Sequence, residues 1–512
     1  MKRVLFSLLS FLLILSSNAQ TSTPAFVKDS LDSYITRALA AWQIPGISIC
    51  IIKDGKAVLL KGYGEKETGT SAAVDENTLF MIGSNTKAFT ATALAMLEGI
   101  EMPGGKRFSL NDKVQQWLPS FKLHDPWVAS ETNIRDLLCH RLGFETFQGD
   151  FMFFDSDLSA QQVLEKFGKL KPKYSFRSRW GYTNAAFAVA GEVLQQASGK
   201  TWSALLEEKL FRPLGMINTI ALSSGIASAA NKAAAHTVAE GKLKKIAYGN
   251  IDNMSPAGSI SSSAADLSKW LIAQLDNGRI NGKQVIPASA IAQTRFPHSI
   301  LGNGGPMFNT GHFSLYGLGW LLEEYAGKKI VSHTGGVNGF VTGVTLVPEE
   351  KLGIVVLTNT DANNFYEALK QEILDAYLGL PYRNYSQLML SNKVGREASE
   401  KKQQQLKMNT IASKPATGLP LKAYAGEYEH NVYGKMMIDF INEKLVARFE
   451  HHTGRFAELA PLGGNRFLAS FNDPLFGVKV WPFKVESGNI RSVIVSVADF
   501  VEFTPYEFLK LK

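Results

Sequence analysis

Cysteine is almost absent: Cys50 and Cys139 are the only two in 512 residues. A framework of disulfides is therefore excluded, although an oxidising compartment would permit one bridge. Cys50 falls in an apolar strand and Cys139 at a helix end. Neither has the neighbours of a cysteine nucleophile or a zinc ligand, so both read as buried thiols. No His, Cys, Asp or Glu cluster has ligand spacing, and no metal or cofactor is expected. Long runs of Lys and Arg are missing too. The formal net charge of +8 is modest for this length, which gives nucleic-acid binding no support. Beyond the N-terminus no segment approaches the ~18 uninterrupted apolar residues of a membrane helix, so no stable membrane anchor is expected in the mature chain.

What is present is ordinary for a folded soluble protein: 45% hydrophobic and 20% charged residues. The length calls for two or three domains. Residues 1–19 read as a secretory signal peptide, with Lys2 and Arg3 before the apolar core Val4–Leu15. Small residues at Ser17 and Ala19 place cleavage near Ala19-Gln20, and the expected location is periplasmic or secreted. No cysteine follows the core, which argues against a lipid anchor.

Phe26–Trp42 has helical periodicity, and Asp54-Gly55 between Ile47–Lys53 and Ala57–Gly62 predicts a hairpin. A helix with many small residues follows Ser84, as expected of a buried central helix. Residues 100–180 read as a helical, loop-rich insertion. Helices are predicted at Ala185–Ala197 and Ser263–Asn277. Strand-like runs follow at Leu318–Glu323, Lys329–His333, Gly339–Val347 and Leu352–Asn359, and Phe365–Tyr377 closes the region as a helix. The expected fold is α+β: one antiparallel sheet joining the N-terminal hairpin to the late strands, flanked by helices, with a helical lobe between. Residues 20–383 would form this domain. Residues 384–420, rich in Lys, Glu and Gln, read as a helical spacer and linker. Residues 421–512 carry short alternating runs that predict a small all-β, barrel-like domain.

Three short motifs carry chemistry. Ser84-Asn85-Thr86-Lys87 places a hydroxyl and an amine three residues apart at a helix start, where they share a face near free backbone N–H groups. Tyr182-Thr183-Asn184 offers a phenol and an amide ahead of a helix. His333-Thr334-Gly335-Gly336 ends a strand, and its glycines would let a substrate backbone lie along the strand edge. Each motif recurs elsewhere, as at Ser399–Lys402, Tyr248 and Tyr382, and His452–Gly454, so none is specific alone. Their order and their contexts, a helix start, a loop before a helix and a strand end, distinguish the first set.

With these motifs the chain resembles the serine β-lactamase and penicillin-binding-protein superfamily over residues 26–381, closest to class C β-lactamases and their esterase and peptidase relatives. The resemblance implies Ser84 as acylated nucleophile and Lys87 with Tyr182 as proton relay, Tyr182 as a phenolate stabilised by Lys87 being one form; which of the two takes the first proton stays open. It implies the N–H groups of Ser84 and Gly336 as oxyanion hole. Asn184, His333, Thr334 and Gly335 would hold the substrate. Two departures stand out. His333 replaces a lysine that helps hold the carboxylate of lactam antibiotics, which weights ester or peptide hydrolysis above efficient β-lactamase activity. His140-Arg141-Leu142-Gly143 stands where relatives often carry His-Thr-Ser-Gly, and His140 reads as structural.

The expected function is an exported serine hydrolase acting on a peptide, amide or ester. The alternatives are a β-lactamase or D-Ala-D-Ala carboxypeptidase, and a non-catalytic penicillin-binding or sensor protein. In the C-terminal domain, Arg448, Phe449, His451, His452, Arg455 and Phe456 form either a rim that limits substrate size or a solvated hairpin.

Overall fold

The computed structural model describes residues 23–511 apart from 303–306 and 310. The expected signal peptide lies outside the described residues. Helix α1 (Leu31–Trp42) leads into strands β1 (Gly46–Lys53) and β2 (Lys56–Gly64). Asp54 and Gly55, at φ 51° and 76°, make the tight turn between them. Helices α2 (Thr86–Met96), α3 (Asn184–Ser198) and α4 (Ala264–Leu275) follow, within and around the helical lobe. Strands β3 (Ser299–Gly302), β4 (Ser314–Tyr316), β5 (Leu321–Tyr325), β6 (Lys328–Val337), β7 (Phe340–Val347) and β8 (Leu352–Thr358) come next. Helix α5 (Phe365–Tyr377) then completes the domain.

These eight strands form one antiparallel sheet in the order β2-β1-β8-β7-β6-β5-β4-β3. The hairpin therefore joins the late strands through β1 and β8, with Ile49 opposite Val356. Both faces are covered. Ile47, Ile49 and Ile51 pack with Ile35 and Trp42 of α1 and Ile373 of α5. Cys50 and Ile52 point the other way, into the core that holds Leu267 and Leu271 of α4. Double coverage explains why β1 reads as a continuous apolar run rather than an alternation. Strands β3 and β4 have four and three residues, too short to carry a period in the sequence. Strand β5 begins three residues later than expected, because Gly317–Trp320 forms a turn closed by Gly317 N–H donating to the Trp320 carbonyl at 2.8 Å.

Helix α6 (Tyr385–Ala412) runs 28 residues, buried only at Tyr385 and Ser386, and carries the second Ser-x-x-Lys on its solvated part. Beyond it, eight antiparallel strands from Gly426–His430 to Tyr506–Lys510 close into a barrel in sequential order. Tyr428 opposite Lys510 joins the first strand to the last. Three of the barrel strands, Gly426–His430, Phe456–Pro461 and Tyr506–Lys510, are not predicted from the sequence. Among the described residues no helix is long and apolar enough to cross a membrane.

The barrel docks on the helical lobe. The Asp157 N–H donates to the His451 carbonyl at 3.0 Å, and Arg455 pairs with Asp155 at 3.2 Å. His452 stacks on Phe151 with ring centroids 4.5 Å apart. Residues 451–455 are thus neither a solvated hairpin nor a pocket rim. They are the seat of the domain.

Candidate active site

The turn that carries Ser84 is built by close backbone approach. Gly83, Ser84 and Asn85 form one 3-10 turn ahead of α2, with Gly83 at φ 53°. A Cβ on Gly83 would lie 2.9 Å from Gly336 N, and one on Gly335 would lie 1.9 Å from the Ile82 carbonyl oxygen. Strand β6 can press against the serine turn only because both positions lack side chains. Asn85 Nδ2 donates to Thr342 Oγ1 at 2.8 Å and Thr342 Oγ1 donates to the Ile82 carbonyl at 3.0 Å, which ties the turn to β7. The sheet therefore fixes Ser84 beside Gly336.

Lys87 lies in the first turn of α2, fully buried. Its ammonium donates to Ser84 Oγ at 3.1 Å, Asn184 Oδ1 at 2.6 Å and the Ala257 carbonyl at 2.7 Å. Burial lowers its pKa to about 7, against a weaker opposing pull from Asp150. The neutral amine is thus accessible near neutral pH. Two of its three partners can only accept, so a neutral Lys87 keeps donating to them and turns its lone pair toward Ser84.

Tyr182 arrives from the loop before α3. Its ring centroid is 4.7 Å from Lys87 Nζ. Its buried hydroxyl has no partner of ordinary hydrogen-bond geometry among the described residues. Burial holds the phenol well above its usual pKa; Ser84 nearby opposes the shift and Asp150 adds to it. The phenolate form entertained from the sequence is therefore disfavoured, and Lys87 is the more available base.

Asn184 is not ahead of the helix but is the first residue of α3. Its side chain is spent on protein partners: Oδ1 accepts from Lys87 and Nδ2 donates to Asp150 Oδ2 at 2.5 Å. It still lines the cavity, but it holds the lysine rather than presenting a free amide.

His333 is 3% exposed. Its ring lies 2.6 Å from the Thr334 carbonyl through Nδ1 and 3.0 Å from Tyr316 Oη through Nε2. A neutral ring donating at Nδ1 and accepting at Nε2 satisfies both. Burial, reinforced by Lys87, pushes its pKa down to about 3. His140 sits below Tyr182, with ring centroids 4.3 Å apart, and accepts the Thr183 N–H at 3.0 Å. Arg141 bonds Asp136 at 2.5 Å, so this departure from the relatives' motif serves the loop's own packing.

Ser84, Tyr182, Asn184, His333, Thr334 and Gly336 all line one cavity of about 300 Å³. Gly335 lies behind it, against Ile82. Residues that the sequence reading did not single out complete the walls: Phe147, Asp150 and Phe154 from the helical lobe, Tyr316 from β4, and Phe500 from the barrel. Asp150 is buried, its pKa raised well above the usual carboxylate range first by burial and then by Glu502. Its Oδ1 has no hydrogen-bond partner among the described residues. No spacing rule announces these residues. An acid immediately before the aromatic run Phe151-Met152-Phe153-Phe154 is the one visible sign. Among the described residues no group of three His, Cys, Asp or Glu side chains could hold a metal ion.

A serine held over the positive end of a central helix, a buried lysine three residues on, and a facing strand that ends in glycines define the β-lactamase and transpeptidase fold. Residues 31–378 match the Beta-lactamase family model, and the chain belongs to that family. Residues 412–509 match a domain of unknown function (DUF3471), which corresponds to the barrel. An unguisins hydrolase of Aspergillus violaceofuscus is 28% identical over 481 residues, covering 85% of this chain and 83% of the relative. The protein Flp of Staphylococcus aureus (strain COL) is 26% identical over 347 residues, covering 65% of this chain and 64% of Flp. Among solved structures, the octameric penicillin-binding protein homologue from Pyrococcus abyssi superposes with a TM-score of 0.58 at 20% identity. That match covers 94% of this chain and 99% of the other. A D-stereospecific amidohydrolase from Streptomyces sp. gives a TM-score of 0.52 at 21% identity, over 67% of this chain and 98% of that one. Both structures share the fold.

Proposed function

We propose that the protein is an exported serine hydrolase that cleaves a peptide, amide or ester through an acyl-enzyme on Ser84. The observation that carries the reading is Lys87: buried, at a pKa of about 7, and 3.1 Å from Ser84 Oγ. In its neutral form Lys87 takes the Ser84 proton as Oγ attacks the substrate carbonyl. The Ser84 and Gly336 N–H groups receive the oxyanion. Tyr182, held as a neutral phenol, donates to the leaving group as the carbonyl–heteroatom bond breaks, and the proton on Lys87 restores it. Water then attacks the ester on Ser84 by the same route, releasing the acid. The relative named as an unguisins hydrolase supports a hydrolytic reaction for this site.

His333 shapes the choice of substrate. A neutral imidazole there supplies no cation for the carboxylate of a lactam antibiotic, which favours ester or peptide turnover over efficient β-lactamase activity. The aromatic walls from Phe147, Phe154 and Phe500 suit an apolar acyl or leaving group.

A panel of p-nitrophenyl esters, D- and L-amino-acid anilides, D-Ala-D-Ala peptides and a chromogenic cephalosporin tests this. Wild type should turn over an ester or amide and barely touch the cephalosporin, and Ser84→Ala should be inactive. Stable labelling by a penicillin without any turnover would instead support a sensor.

A further inference from the structure

The barrel does more than sit beside the cavity. The loop 496–505, between its last two strands, inserts Glu502 into the helical lobe. There the carboxylate accepts the Gly149 N–H at 2.7 Å and the Phe151 N–H at 3.0 Å, the two amides that flank Asp150. Tyr433 Oη donates to it at 2.9 Å and Tyr506 Oη at 2.5 Å. Phe503 stacks on Phe147, with centroids 5.4 Å apart, on the other side of the same loop. Asp150 in turn accepts from Asn184 Nδ2, and Asn184 Oδ1 accepts from Lys87. Hydrogen bonds lead from the barrel to the backbone on either side of Asp150, and from the Asp150 side chain to the amine beside the nucleophile.

We propose that Glu502 is a positioning residue for the general base, acting across the domain boundary through Asp150 and Asn184 on Lys87. The proposal rests on the reading of Ser84 as nucleophile and Lys87 as base. Only a side chain with two acceptor oxygens can take both backbone N–H groups while two phenols donate to it. Burial, partly offset by these four donors, holds Glu502 at about 7, and burial first and then Glu502 raise Asp150 well above the usual carboxylate range. The raised Asp150 pKa weakens its charge-charge pull on Lys87, while its Oδ2 still accepts from Asn184. Chain length alone would not require this. The barrel could dock through Arg455 on Asp155 and His452 on Phe151 with no carboxylate reaching the amides of residues 149 and 151.

The test compares the full-length wild type with Glu502→Gln, Asp150→Ala and the double variant on a p-nitrophenyl ester. Glutamine keeps the volume but must turn an N–H toward one of the two backbone donors. Misplacing the base should lower kcat about tenfold to a hundredfold, with KM within about twofold, because the cavity walls are intact. Because the two residues act in series, the double variant should be no slower than the slower single one. Circular dichroism and melting establish that each variant folds. If Glu502→Gln does not, Tyr506→Phe carries the test, since it removes one donor only; it should lower kcat at least twofold at constant KM. Wild-type kcat in the folded variant, a loss confined to KM, or effects that multiply would each overturn the relay. A phosphonate that bonds active serines separates the two readings. An unlabelled wild type refutes the serine nucleophile and the relay with it. A labelled wild type with Glu502→Gln labelled equally fast refutes the relay alone.

Discussion

Lys87 and Tyr182 divide the proton chemistry by what burial does to each. Burial disfavours charge, so it lowers an amine and raises a phenol. The lysine is therefore the group that can be deprotonated at neutral pH, and the tyrosine the group that keeps its proton. The sign for pH follows. Below about 7 Lys87 is charged and cannot accept the Ser84 proton; above it the amine is free. The rate of Ser84 acylation should rise with pH through about 7 and then level off, as a stopped-flow pH profile of phosphonate labelling would reveal. The charged and titratable groups that share this environment are Asp150, Tyr182, His140 and His333, with Glu502 behind Asp150. Both histidines are held neutral and Tyr182 keeps its proton, so the limb belongs to Lys87 together with Glu502, which burial also holds at about 7. A second expectation concerns the leaving group. Tyr182→Phe should slow anilide hydrolysis by about a hundredfold or more, within the range of general acid catalysis. It should slow p-nitrophenyl ester cleavage far less, because nitrophenolate departs without a proton. Equal losses on both substrates would count against the tyrosine as acid.

The serine turn and strand β6 act as one element. Gly83 and Gly335 let two backbones meet, and the meeting places Gly336 beside Ser84. Gly335→Ala would force a methyl into the Ile82 carbonyl. It should cost about 1–3 kcal/mol of stability, in the range of overpacked cores. It should also displace the oxyanion donors, so activity falls more than stability. Thermal melts and ester kinetics on the same sample would separate the two effects. The turn could be anticipated from Ser-x-x-Lys and the strand end from the glycine pair. Their contact could not, because it joins positions 83 and 336, and local periodicity carries no information at that range.

At the scale of the molecule, the site belongs to two domains. The six residues of the hairpin around His451 that the sequence offered as a rim do not line the cavity, whereas Phe500 does. Its ring also lies where a Cβ on Gly336 would meet it at 3.2 Å, so it closes the barrel side of the site next to Gly336. Phe500→Ala should leave short esters near wild-type turnover. It should lower KM for substrates with bulky leaving groups, as a chain-length series of esters or peptides would measure. An unchanged series would remove the barrel from substrate selection. Deleting residues 413–512 should do more, since it removes Glu502 as well as Phe500: turnover should fall for short and long substrates alike.

Much of this was legible in the residues themselves. The proximity of Ser84 and Lys87 on one helix face, the hairpin at Asp54-Gly55, helix α5 and a C-terminal β domain follow from local rules of turn, period and spacing. Those rules act over a few residues, and the sequence states them directly. It also determined that His333 supplies no fixed positive charge where relatives carry a lysine. Only the tertiary structure decided the rest. The short strands β3 and β4 gain their identity from their neighbours. Asn184 is committed to Lys87 and Asp150, and the pKa values of Lys87 and Tyr182 move because other elements exclude water from them. Asp150 joins the site from tens of residues away, and Phe500 and Glu502 by approach across hundreds. Burial and long-range hydrogen bonds are properties of the packed chain, and no stretch of sequence contains them alone.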